Sequence, residues 1–257
     1  MNSLPLELFD IIIGYIDDKE SLENCSLVAR SWEDPSRKHL FKYIQTPPRS
    51  LETWLERISQ GRNGTLLEHV HRLTCNDEFS FSLLYQDKPE DGIFCDRFGS
   101  LRQLRHLKFR ATVLYIWPQK AESVFSALGN TLSRITLWSC AVPKSLVPIL
   151  INCLPNLEHL CLKDVFFVPG VGGESTLLIS RSHLKKLSIG EQNVKSLDFL
   201  SELWEQMLRF DEVALLPCGT HADGWTVTAN CVIRTFGASA KYLRIPHIPN
   251  STCSLPY

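Results

Sequence analysis

The chain has 257 residues, 44% of them hydrophobic, enough to bury one sizeable core or a small domain followed by a larger one. Twenty-seven Lys and Arg against 28 Asp and Glu leave a net charge of -1, so bulk electrostatics provides no reason to expect nucleic acid or an anionic membrane as a partner. Nine cysteines, an odd number never spaced as Cys-x-x-Cys, indicate neither a disulfide framework nor a zinc site and suit a reducing compartment, cytoplasmic or nuclear.

The first predicted element is an amphipathic helix. Leu8, Ile11, Ile12, Tyr15 and Ile16 recur at the spacing that gathers side chains on one helix face, and Ile13 widens that stripe. Pro5 suits the first turn and Ser3 a cap, while Asp17 and Asp18 close the helix. Glu7 and Asp10 interrupt the apolar run, so it reads as a helical stripe and not as a secretory core. The Asn-x-Ser/Thr matches at Asn24, Asn63 and Asn250 therefore carry no weight. A second helix carries Leu22, Cys25, Val28 and Trp32, and Asp34-Pro35 is expected to stop it and start a third over Ser36 to Phe41. A unit of this size supplies only about 3 to 5 kcal/mol from its own core, so it either packs on the rest of the chain or meets a partner.

Leu4-Pro5-Leu6-Glu7-Leu8-Phe9-Asp10-Ile11-Ile12-Ile13-Gly14-Tyr15-Ile16-Asp17, then Leu22 and Ser26-Leu27-Val28-Ala29-Arg30-Ser31-Trp32, resemble the two halves of an F-box. The form is most similar to that of mushroom-type (basidiomycete) fungi, in which the module continues, as here, through Pro-Ser-Arg-Lys-His-Leu-Phe. One departure is Ala29, where the family often has Cys. The resemblance implies that residues 1–45 bind the Skp-type adaptor of cullin-based ubiquitin ligases. By motif position it names Leu4, Pro5, Ile12, Ile13, Leu22, Val28 and Trp32 as adaptor contacts, with Trp32 equally suited to the module's own core.

Residues 46–65 read as a linker, Thr46-Pro47-Pro48-Arg49, and a connecting helix bearing Leu51, Trp54, Leu55 and Ile58. From 66 to 257 a pattern of apolar-x-x-apolar-x-apolar repeats, clearest as Leu157, Leu160 and Leu162. Other copies are Leu104, Leu107 and Phe109; Leu132, Ile135 and Leu137; and Leu184, Leu187 and Ile189, with weaker ones around Leu73, Val213 and Leu243. The middle anchors lie 34, 28, 25, 27, 26 and 30 residues apart, in or near the leucine-rich-repeat range. The last two apolar positions alternate like a strand, and helical periods lie between copies at Pro118 to Leu128 and Leu197 to Phe210. An α/β fold is predicted, a three-helix module followed by a leucine-rich-repeat-like solenoid with a parallel sheet; an ordinary α/β domain with evenly spaced strands is the alternative. The polar stretch Tyr85 to Arg97 and the glycines at 170, 172 and 173 read as loops, and Pro246, Pro249 and Pro256 end the repeating pattern.

No catalytic constellation emerges. The three glycines lack a following Gly-Lys-Ser/Thr, no His-Glu-x-x-His exists, and Phe236-Gly237-Ala238-Ser239-Ala240 lacks the second glycine of a nucleophile elbow. His159 with Cys161, and His69 with His71, share a strand face at most. The expectation is a non-enzymatic protein without metal or cofactor. It would be the substrate-recognition subunit of a Skp-cullin-F-box ligase, binding the adaptor, through it a cullin, and an unidentified target. The alternative is an F-box interaction or scaffold protein with no ligase role.

Overall fold

The structure is a computed structural model that describes residues 5–46, 67–76, 98–114, 118–169, 184–190, 194–205, 210–216, 222–236 and 240–245. Three helices come first: α1 Leu6–Gly14, α2 Lys19–Val28 and α3 Arg30–Lys42. Pro5 stands at the N-cap of α1 and not inside its first turn. Asp18 caps the next helix instead of merely closing the first: its carboxylate accepts the Ser21 N–H at 2.7 Å. The break between α2 and α3 falls at Ala29, which is fully extended (φ -158°, ψ 155°), and not at Asp34-Pro35 as predicted. Pro35 lies inside α3, where its lost N–H costs one intrahelical bond; its ring is buried, and burial offsets part of that cost.

These helices have a core of their own. Phe9, Ile13 and Leu22 are buried, and both α1 and α2 pack on α3. Lys38 of α3 reaches Asp10 of α1 at 4.0 Å, and the imidazole of His39 lies so close to Gly14 that an added Cβ there would touch it at 3.4 Å.

The rest is built on one eight-stranded parallel sheet whose order, β1-β2-β3-β4-β6-β8-β9-β10, follows the chain. Its strands are β1 Tyr43–Thr46, β2 Arg72–Cys75, β3 His106–Arg110, β4 Arg134–Trp138, β6 His159–Lys163, β8 Lys186–Ile189, β9 Glu212–Leu215 and β10 Tyr242–Arg244. Strand β1 is the direct continuation of α3, so the helical unit runs into the sheet across the boundary expected at residue 45. The connecting helix expected at Leu51 to Ile58 lies outside the described residues.

The register puts every middle anchor in one ladder: Ile44, Leu73, Leu107, Ile135, Leu160, Leu187, Val213 and Leu243. Two residues on, Cys75, Phe109, Leu137, Leu162, Ile189 and Leu215 form a second buried row. Because strand order equals chain order, crossovers of one hand all fall on one side of the sheet. There the helices α4 Pro118–Ala127, α5 Leu146–Cys153, α6 Val194–Glu205 and α7 Ala222–Phe236 share the core, through residues such as Val124, Leu150, Leu203 and Val232. Each fully buried aliphatic side chain contributes up to about 1.5 to 3 kcal/mol.

Three strands leave the sheet by the same device. Ala111, Ser139 and Asp164, each one residue beyond a strand, have φ near +50° (51°, 51° and 54°). The kink turns Thr112, Cys140 and Val165 inward, all at most 1% exposed. Two short parallel strands follow, β5 Ala141–Pro143 and β7 Phe166–Val168, with Val113 bridging to Ala141. The Cys140 thiol lies 3.3 Å from the Trp138 carbonyl and 3.5 Å from that of Phe109, and burial pushes its pKa up to about 11.

Candidate functional site

The helical unit exposes apolar residues that a small core leaves over. Along α1 and its C-cap, Leu8, Ile11, Ile12 and Tyr15 form a stripe at i, i+3, i+4 and i+7, with exposures of 40, 54, 44 and 85%. At the end of α2, Leu27 and Val28 stand 83 and 70% exposed. Six large apolar side chains uncovered within residues 8–28 are a density seldom left bare without a use.

The seven residues named from the sequence divide into three groups. Pro5, Ile12 and Val28 are exposed. Ile13 is fully buried and Leu22 nearly so, because their helix faces turn toward α3; in this arrangement they support the surface from beneath and present no contact area of their own. Trp32 is half-buried against Phe9, with ring centroids 5.6 Å apart, a packing contact within the unit. Leu4 lies outside the described residues. Leu8, Ile11, Tyr15 and Leu27 were not named beforehand, although the helical stripe already contained three of them.

A second surface is the sheet face turned away from the helices. Alternation along each strand assigns to it His106, Lys108 and Arg110; Arg134, Thr136 and Trp138; His159, Cys161 and Lys163; and Lys186 and Ser188, all rungs of the same register. The His106 Nε2 is 3.0 Å from the Thr136 hydroxyl, and the His159 Nε2 is 2.8 Å from that of Ser188. Burial, reinforced by Arg72 and Arg134 for His106 and by Arg134 and Lys186 for His159, holds each imidazole pKa down to about 4, so both rings are neutral at physiological pH. Burial likewise raises the Cys161 thiol, the opposite of what an activated nucleophile needs. His159 and Cys161 thus share a face without forming a catalytic pair, and His71 is a partly buried imidazole lowered by desolvation. Among the described residues no three of His, Cys, Asp and Glu gather as metal ligands, and no helix is long and apolar enough to cross a membrane.

Gly190 occupies the rung beside Lys163. An added Cβ there would stand 2.7 Å from Lys163 Cγ and 3.2 Å from its Cα, so only glycine lets the Lys163 backbone approach this closely.

No family model matches the chain, and no curated protein matches it.

Proposed function

We propose that the chain is an F-box protein whose helical unit docks on a Skp-type adaptor and whose sheet region, a degenerate leucine-rich-repeat solenoid, presents a target to a cullin-based ubiquitin ligase. The observation that carries the reading is the exposed aliphatic stripe of α1 together with Leu27 and Val28. These residues lie within the segment that resembles an F-box, and they have the aliphatic and aromatic character of an interface centre. The repeat half of the reading is supported by anchors 25 to 34 residues apart that fall into one parallel ladder. Joining α3 to β1 without an intervening loop suits a receptor that must hold its target at a set distance from the transfer site.

The test is co-purification with a Skp-type adaptor. The wild-type chain is expected to be retained, and Ile12→Asp combined with Val28→Asp to lose at least about tenfold in affinity while the circular dichroism spectrum is unchanged, since both positions are exposed. Full retention of the double variant, or no capture of the wild type, sinks the assignment. Adaptor-dependent ubiquitylation of a co-purified target separates a ligase receptor from an F-box protein with another use.

A further inference from the structure

The open sheet face concentrates positive charge although the whole chain carries a net charge of -1. Register brings together Arg72 from β2, Lys108 and Arg110 from β3, Arg134 from β4, Lys163 from β6 and Lys186 from β8. Among the described residues, only Lys186 of these six has a carboxylate within ion-pair distance, Glu212 at 2.7 Å. Asp164, which follows Lys163, accepts from the Ser139 hydroxyl at 2.8 Å.

At the centre, three cations from two strands surround one indole. Lys108, Arg110 and Lys163 lie 4.4, 4.5 and 4.8 Å from the centroid of the Trp138 ring. Each such contact is favourable by about 0.5 to 1 kcal/mol at an exposed site, but the like charges gathered around one ring repel one another. Burial and the neighbouring Arg110, Arg72 and Lys163 depress the Lys108 pKa, the signature of a cation held among cations. An arrangement of this kind is relieved when an anion settles on it.

We infer that this face receives an acidic, extended stretch of a partner polypeptide, its anionic side chains meeting Lys108, Arg110 and Lys163 around Trp138. From Arg72 to Lys186 the patch crosses five adjacent strands, about 19 Å at the usual spacing, which an extended chain covers in about six residues. A nucleic-acid strand fits less well, because the indole that would stack on a base is already covered by cations. Calling this partner the ligase target rests on the function proposed above, but its binding does not, so it is measured on the full chain without adaptor.

The experiment is fluorescence anisotropy at low salt with a labelled oligoglutamate peptide, a phosphoserine-bearing counterpart and a single-stranded oligothymidine of equal length. The oligoglutamate is expected to bind, to weaken as salt rises, and to lose about tenfold or more in affinity in the triple variant Lys108→Gln, Arg110→Gln, Lys163→Gln. Tighter binding of the phosphopeptide, with the same loss in the variant, supports the site and makes phosphate its preferred anion. Should the triple variant fail to fold, Arg134→Gln, at an exposed residue, is expected to weaken the peptide about threefold. Absence of peptide binding, binding unchanged in both variants, or tighter binding of oligothymidine than of either peptide overturns the inference.

Discussion

Phe9 and Trp32 meet at 5.6 Å between ring centroids with a tilt of 56°, tying α1 to α3 from inside the helical unit. The contact makes Trp32 part of the scaffold that holds the exposed stripe in place. Trp32→Ala is expected to destabilise the helical unit by about 2 kcal/mol, below the range for a fully buried Trp because this ring is half-exposed. Trp32→Phe, which keeps an aromatic ring on Phe9, should leave adaptor capture within about twofold. Amide hydrogen exchange of α1 to α3 reads the first effect and co-purification the second; loss of capture by Trp32→Phe without loss of protection would make Trp32 a contact after all.

The left-handed backbone at Ala111 leads to a prediction of opposite sign. A non-glycine residue at φ 51° pays about 1 to 2 kcal/mol that glycine avoids, and glycine returns part of this as chain entropy. Ala111→Gly is therefore expected to stabilise the chain by about 1 kcal/mol in urea denaturation with an unchanged m-value. A loss of stability would contradict the geometry at that turn.

Acid should weaken the sheet through His106 and His159. Their folded-state pKa values, about 4, lie below the 6.5 of a free imidazole, so between pH 6.5 and about 4 the unfolded chain binds more protons. Stability from these two rings is fully present above pH 6.5, falls as pH is lowered through that window and levels off below about 4. The groups facing them are Arg72, Arg134, His159 and Lys108 around His106, and Arg134, Lys186 and Glu212 around His159; of these only the Glu212 carboxylate opposes the downward shift. Replacing both histidines by Gln, which preserves a hydrogen bond to the hydroxyls of Thr136 and Ser188, is expected to flatten the melting temperature between pH 6.5 and 4.5. An unaltered slope would assign the acid sensitivity to other groups.

The sheet was legible because its signal is local: each inward pair, such as Leu107 with Phe109 or Leu160 with Leu162, sits two residues apart, and the middle anchors predicted from that pattern share one ladder. Helices α5 and α7 were missed for opposite reasons. In α5, Leu146 to Ile151 are all buried, so no polar face marks a helical period. In α7, Thr226, Val227, Thr228, Val232, Ile233 and Thr235 are β-branched and suggest a strand, and tertiary packing of residues such as Val232 and Phe236 prevails over that preference. Strand β1 shows too little, since Tyr43 and Gln45 are exposed, Ile44 is half-buried and only Thr46 is fully enclosed. Of the exposed stripe on α1 the period was visible, but which of Ile12 and Ile13 faces outward depends on where α3 packs. The basic face was invisible, because its charges are scattered from Arg72 to Lys186 and become neighbours only through the register.

Because strand order follows chain order, each rung of the sheet leans only on the rungs before and after it. Such a stack has no central keystone: it can zip up from several places, and damage at one rung spreads to its immediate neighbours before it reaches the rest. Injury near β9 or β10 would thus leave the three N-terminal helices at the opposite end standing, whereas a break at β2 would cut them off from everything beyond.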